Sequence, residues 1–265
     1  MVNRLFDGIV SFTQQSYLTY RGLFGWLNWQ GYISNVLLRP VVVVLTFSLI
    51  GRFAVGLGVA QRFALGMAVL GMFFIAMNGI AQSYFFDRQT GTIKYLFITR
   101  GNRISNYLSR GICHLPNAIL AFITGIFTAW LVVYINFEWF NWGYLILVVM
   151  VIAISMTMFG QFIGVLVLIT NNWVHIAGLT NSIMMVLTGV IIPIGRFPGP
   201  LYEFAKLLPM TNGLLVLGFL FDGAEFSQLY GLLLRELITG FTYLILGYLG
   251  FIYFERHVRQ TGELH

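Results

Sequence analysis

Long apolar runs are the feature of this sequence that most limits the folds open to it. A helix crosses a hydrocarbon core of roughly 30 Å with about 20 such residues, because each residue rises about 1.5 Å. Six runs of about this length occur, at about 38–58, 63–85, 111–135, 144–169, 174–194 and 230–254. They predict an all-α integral membrane protein with six transmembrane helices.

The composition excludes several classes of soluble protein. Of 265 residues, 58% are hydrophobic and 9% are charged, whereas a soluble domain has about 25% charged residues. A soluble enzyme, a secreted disulfide scaffold and a disordered regulator are excluded, because a soluble fold of this size cannot bury so much apolar surface. The net charge of +6 suits loops beside membrane lipid. We expect no nucleic-acid partner, because no basic stretch contains interleaved aromatics.

The N-terminal segment mixes aromatic and polar residues and lacks the pattern of a cleavable signal peptide. Its aromatic content favours an amphipathic helix in the membrane interface over the alternative, a mobile tail. We therefore divide the chain into an interfacial helix at 1–35 and a transmembrane domain at 36–265. The first span contains Arg52, so either the span ends near Gly51 or the Arg52 side chain reaches the interface.

The positions of the basic residues predict that both termini are cytoplasmic. With six spans, the inner segments hold ten basic residues: Arg4, Arg21, Arg39, Arg88, Lys94, Arg100, Arg103, Arg110, Arg256 and Arg259. The outer segments hold five: Arg52, Arg62, Arg196, Lys206 and Arg235. We expect a multi-pass protein of a cell membrane, either a prokaryotic inner membrane or a plasma membrane.

Two connections are longer than simple turns. In the cytoplasmic segment 87–110, Thr92 is a candidate N-cap, and Ile93, Leu96 and Phe97 then share one face of a short basic helix. The outer segment 195–228 contains two short apolar pieces separated by prolines and glycines. Such pieces are typical of re-entrant or interfacial helices.

The chain lacks residue patterns that would make it an enzyme. Neither of its lysines, Lys94 and Lys206, ends a Gly-rich phosphate-binding loop, so any ATP hydrolysis must occur on another polypeptide. The histidines have no partners at zinc-site spacing, and no Gly-x-Ser-x-Gly motif occurs. Paired intramembrane acids are missing too; Glu236 is the one candidate, and the adjacent Arg235 offers a simple partner.

The predicted spans contain amides and hydroxyls in place of charges. The candidates are Asn78, Gln82, Thr124, Thr128, Gln161, Asn181, Ser182 and Thr188. Such side chains either hold helices together by hydrogen bonds or line a polar pathway. From the residues alone, both roles remain open.

Several motifs, in this order, resemble those of the ABC type-2 permeases, the membrane subunits of ATP-driven exporters of drugs, polysaccharides and lipids. Arg39-Pro40 lies at the head of the first span, and Asp87-Arg88-Gln89-Thr90-Gly91-Thr92 follows the second. The proline-marked motifs before the last span are Ile192-Pro193-Ile194, Pro198-Gly199-Pro200-Leu201 and Leu208-Pro209-Met210-Thr211.

The resemblance implies that a second permease copy or homologue and an ABC ATPase subunit complete the transporter. It implies a coupling helix that docks on the ATPase and contains Asp87, Arg88, Gly91, Thr92, Lys94 and Arg100. It also implies a translocation pathway lined by Asn78, Gln82, Asn181, Ser182 and Thr188. This chain would bind no cofactor, and ATP and Mg would bind the partner ATPase.

Two other classes of protein remain as alternatives. A self-contained secondary carrier or channel would use an ion gradient, although the missing acid pairs argue against proton coupling. A lipid-modifying membrane enzyme is disfavoured by the absence of a catalytic constellation.

Overall fold

The computed structural model describes residues 10, 12–18, 21, 29–54, 56–93, 95, 103–135 and 141–261. Within these ranges the chain is helical and contains no strand, which confirms the predicted all-α membrane fold. The helices are α1 (Trp29–Ala54, with a π-helical part at Ile33–Leu38), α2 (Leu57–Gln89), α3 (Arg103–Ile112), α4 (Leu115–Val133), α5 (Trp142–Thr170), α6 (Trp173–Leu187), α7 (Gly199–Lys206), α8 (Thr211–Phe221) and α9 (Tyr230–Thr261).

The first span is longer and begins earlier than the sequence predicts. The helix α1 starts at Trp29 instead of residue 38, so the expected domain boundary at residue 35 falls within a continuous helix. Arg52 lies near its outer end, where Nη1 donates to the Val132 carbonyl over 3.2 Å. The rest of the predicted interfacial helix lies partly outside the described residues, which before Trp29 are 10, 12–18 and 21.

The helix in the fifth predicted span is shorter than the sequence predicts. The helix α6 ends at Leu187, before Gly189 with its φ of +90° and before Pro193, instead of continuing to residue 194. The Trp173 ring nevertheless lies 6.3 Å from the Phe85 ring. At the other end of this segment, Val190 packs against Gly66. From Phe85 to Gly66 the helix α2 rises roughly 28 Å, so α6 and the turn after it cross this depth together.

The helix α2 lies at the centre of the molecule and packs against α1, α4 and α5. Close approach depends on small residues: a Cβ on Gly125 of α4 would lie 3.0 Å from the Ala68 Cβ of α2. Val44 of α1 packs at the same point. Both α1 and α4 run antiparallel to α2. Their contacts with α2 show which residues of the three helices lie at the same level.

The predicted helix pair before the last span is present as α7 and α8, which meet at an angle of 96°. Val190, before the pair, packs against Gly66, and Asp222, after the pair, binds Arg62 over 2.6 Å. Both contacts lie towards the N-terminal end of α2. The chain therefore enters and leaves on one side, as a re-entrant pair does.

A buried carboxylate holds the turn that joins the two helices of this pair. Glu236 of α9 is 0% exposed. Its two carboxylate oxygens accept hydrogen bonds from the backbone N–H groups of Met210 (2.6 Å) and Gly213 (3.2 Å). These N–H groups lie at the start of α8, where no helical carbonyl precedes them. The expectation that Arg235 explains Glu236 is wrong, because the carboxylate instead caps α8.

We expect Glu236→Ala to destabilise the protein, because it leaves the two N–H groups buried without an acceptor. The loss of roughly 2–4 kcal/mol should lower the Tm in detergent by about 5 °C or more, measured by thermal unfolding of the purified chain. Glu225→Gln is the control, because Glu225 is exposed in the loop before α9, and it should leave the Tm nearly unchanged. Equal effects of the two variants would contradict the capping role.

Candidate functional site

The predicted coupling segment starts with a buried ion pair. The Asp87 carboxylate at the end of α2 binds Arg110 of α3, whose side chain is only 7% exposed. The Arg110 guanidinium also lies 4.8 Å from the centre of the Tyr84 ring. The Thr92 hydroxyl donates to the same carboxylate over 2.9 Å. Asp87 thus joins the coupling segment to both α2 and α3.

Arg88 points towards α5 and α9. Its Nη1 donates to the carbonyls of Leu168 and Ile169, the latter over 2.9 Å, at the C-terminal end of α5. The C-terminal end of a helix carries the partial negative charge of its last carbonyls. The guanidinium also lies 5.6 Å from the Phe254 ring of α9. The structure therefore gives Arg88 a role in holding three helices together.

A chain of hydrogen bonds continues from Tyr84 into the core. The Tyr84 hydroxyl donates to Gln161 Oε1 over 3.0 Å, and Gln161 Nε2 donates to the Tyr107 carbonyl over 2.6 Å. Gln161 is 1% exposed. The sequence left two roles open for the amides, joining helices or lining a pathway. Gln161 joins helices α2, α3 and α5.

Within the described part of the coupling segment, Ile93 and Tyr95 lie in different surroundings. Ile93 is fully buried in an apolar cluster with Tyr84, Leu168 and Phe251. Tyr95, by contrast, is 72% exposed, and residues 92, 93 and 95 are helical. The positive φ of Gly91, +72°, makes the turn into this helix. The Tyr95 side of this short helix is thus more exposed than the Ile93 side.

Part of the predicted coupling set lies outside the described residues. Asp87, Arg88, Gly91 and Thr92 lie together at the end of α2, whereas Lys94 and Arg100 are not described.

The predicted pathway residues of α2 lie on its least buried stripe. Asn78 and Gln82 are half-buried, and Phe74 lies one turn before Asn78 on the same side of the helix. Residues four apart share one face of a helix. Asn78 Nδ2 donates to the Phe74 carbonyl over 2.7 Å, which leaves its other amide hydrogen available.

The predicted residues of α6 divide into two groups. Ser182 is exposed, and the buried Asn181 Oδ1 lacks a hydrogen-bond partner among the described residues. Thr188 is different, because it is only 1% exposed; both its hydroxyl and that of Ser182 donate to the carbonyl four residues earlier. The segment from α6 to the turn after it contacts α2 at Phe85, through Trp173, and at Gly66, through Val190. Asn181 and Ser182 lie about halfway between these contacts and so about level with Asn78.

Arg39 belongs to this group of polar residues, although the sequence analysis places it on the cytoplasmic side. Its guanidinium carbon lies 5.5 Å from the centre of the Phe74 ring. Along α2, Phe74 lies roughly 18 Å from Arg62 and roughly 20 Å from Asp87, and these two residues form the outer and inner ion pairs. Arg39 is therefore near mid-depth, because α1 begins ten residues earlier, at Trp29.

These side chains lie at similar depths on α1, α2 and α6, and together we call them the polar face. It consists of Arg39, Phe74, Asn78, Gln82, Asn181 and Ser182. An arginine exposed to lipid at mid-depth costs at least about 2.5–3.5 kcal/mol. The polar face is thus unsuited to lipid and suited to water, to another protein chain or to a polar ligand.

Comparison with known proteins identifies a family for most of the chain. A family model described as ABC-2 type transporter matches residues 13–217. That match includes α1 to α6, the coupling segment, the polar face and most of the re-entrant pair. A search of curated proteins finds no significant match.

We expect Asp87→Asn to destabilise the chain strongly, because it leaves the buried Arg110 without its carboxylate. The expected loss is about 3 kcal/mol, read as a fall in Tm in detergent. Adding Arg110→Gln should recover part of that loss, because no unpaired charge is then buried.

Asp222→Asn supplies the matched control. It breaks an Asp–Arg pair whose side chains are 45% and 58% exposed, and such pairs contribute at most about 1 kcal/mol. If Asp222→Asn and Asp87→Asn lower the Tm equally, Asp87 does not anchor the coupling segment.

Proposed function

This chain belongs to the ABC-2 type transporter family, and we propose that it is the permease subunit of an ABC exporter driven by a separate ATPase subunit. The observation that carries the proposal is the coupling segment at the end of α2, anchored by Asp87 and Ile93 and exposed at Tyr95. A segment of this kind can bind a cytoplasmic protein on one side and move a transmembrane helix on the other.

We infer that the ATPase docks on the exposed side of residues 89–95. ATP and Mg bind to that subunit, and its closure on ATP pushes the coupling segment. Because Asp87, Arg88 and Tyr84 connect the segment to α3, α5 and α9, the push moves helix ends as a group. Small shifts of this kind at the end of a rigid element can switch packed helices between two arrangements.

The polar face is the proposed wall of the translocation pathway. A second permease, either another copy of this chain or a homologue, faces it across the membrane and shields it from lipid. Arg39, Asn78 and Ser182 then border a water-containing space near mid-depth. Cargo that is drug-like, lipid-like or glycan-like passes through this space to the outer side.

We expect cysteines on the polar face to react with a membrane-impermeant thiosulfonate reagent. Asn78→Cys and Ser182→Cys are made in a Cys113→Ser background, because Cys113 is the one native cysteine. Labelling is measured in proteoliposomes that contain the permease and its ATPase, with and without ATP.

Ile123→Cys is the matched control, because Ile123 is 52% exposed on the apolar side of α4. It lies within the predicted third span and should remain unlabelled. If Asn78→Cys and Ser182→Cys also remain unlabelled in every nucleotide state, those residues join helices and the pathway lies elsewhere.

We expect the double variant Lys94→Glu with Tyr95→Ala to weaken binding of the ATPase subunit at least about tenfold, because it removes an exposed ring and reverses a charge at the docking surface. The ATPase is the protein with a phosphate-binding loop that co-purifies with the permease. Its Kd for the permease and its ATPase rate in proteoliposomes are measured.

Tyr230→Ala is the control, because Tyr230 is 68% exposed at the outer end of α9. It should leave the Kd and the rate unchanged. An unchanged Kd in a well-folded Lys94→Glu, Tyr95→Ala variant would contradict the coupling assignment. Failure of any ATPase to co-purify would favour a self-contained carrier.

A further inference from the structure

We propose that Arg39 binds the anionic headgroup of an amphipathic cargo molecule at mid-depth in the membrane. The inference rests on the proposal that the polar face lines the pathway, and it adds the chemical class of the cargo. The site consists of Arg39 and Asn35 on α1 and Phe74 and Asn78 on α2.

The first argument is the unbalanced charge. Among the described residues, no carboxylate lies within ion-pair distance of Arg39. Two other buried charges have partners in the structure: Glu236 binds two N–H groups, and Arg110 binds Asp87. A cation at this depth requires an anion or water beside it.

The second argument is the pair of amide donors one turn from Arg39 on α1 and one turn from Phe74 on α2. Asn35 lies one turn before Arg39 on the same side of α1, and both residues are exposed. Asn35 Nδ2 donates to the Gly31 carbonyl over 3.0 Å, and Asn78 Nδ2 donates to the Phe74 carbonyl. Each amide nitrogen keeps one further hydrogen. A planar guanidinium with two amide donors fits an anion that has several oxygens, such as a phosphate ester.

The third argument is the apolar surface next to the charge. The side chains of Leu38 and Val42, which flank Arg39 on α1, are 52% and 58% exposed, and Arg39 itself lies over the Phe74 ring. A free inorganic anion gains nothing from this surface. An amphiphile can place its charged group on Arg39 and its chains on Leu38 and Val42.

The test measures binding to the full-length permease without its ATPase, so that it does not depend on the coupling assignment. Radiolabelled dihexanoyl phosphatidylglycerol is the probe, and binding to the detergent-solubilised chain is read by scintillation proximity. Arg39→Gln should raise its Kd about tenfold or more, because the charge-assisted hydrogen bonds are lost. Arg39→Lys should retain part of the affinity, because it keeps the charge without the planar fork.

Two further variants keep the result interpretable. Arg52→Gln removes the same charge from the outer end of α1, where Arg52 binds the Val132 carbonyl, and it should leave the Kd unchanged. Asn78→Asp retains Arg39 but adds a carboxylate to the site, so it should also raise the Kd about tenfold even if Arg39→Gln fails to fold. An unchanged Kd in a folded Arg39→Gln or Asn78→Asp variant would overturn the proposal.

Competing ligands identify what the site takes. Dihexanoyl phosphatidylcholine should compete weakly, because its headgroup has no net charge. Equal competition by inorganic phosphate would contradict an amphipathic ligand.

A second arm separates a cargo from a resident lipid. In the complete transporter, phosphatidylglycerol should stimulate ATP hydrolysis in the native protein and in Arg52→Gln but not in Arg39→Gln. Binding without any stimulation would identify the ligand as a resident lipid and contradict the cargo assignment. If the ATPase does not assemble, the coupling proposal fails while the binding measurement still decides the role of Arg39.

Discussion

The hydrocarbon core of a bilayer provides no hydrogen-bond partners, and under this constraint two sets of polar residues differ in their surroundings. In the first set side chains bind groups of other helices, as Glu236 does in α8 and Gln161 does in α2 and α3. In the second set, the polar face, Arg39 and Ser182 are exposed. The first set holds the helices in place, and the second set requires an environment other than lipid.

Two members of the first set hold segments that do not cross the membrane. Glu236 holds the re-entrant pair at the outer side, and the Asp87–Arg110 pair holds the coupling segment at the inner side. The helix α2 connects the inner pair with the centre of the polar face at Phe74 and Asn78. One rigid helix therefore links the surface proposed for the ATPase with the surface proposed for the cargo.

Much of this architecture follows from the sequence, because lipid forces spanning segments to be long and apolar. The spans and the re-entrant pair are therefore visible in the composition of each run. The start of α1 is not, since Trp29–Leu38 contains polar residues and reads as a flank. That error placed Arg39 on the cytoplasmic side. The role of Glu236 is equally hidden, because its partners, Met210 and Gly213, come together with it only when α8 folds back against α9.

Electron cryo-microscopy of the complete transporter in lipid nanodiscs would test the central claim most directly. If the polar face lines a pathway, the map will show a second permease opposite α2 and α6, with a space between them that contains Arg39 and no ordered acyl chains. Acyl-chain density packed directly against Asn78 and Ser182 would contradict it.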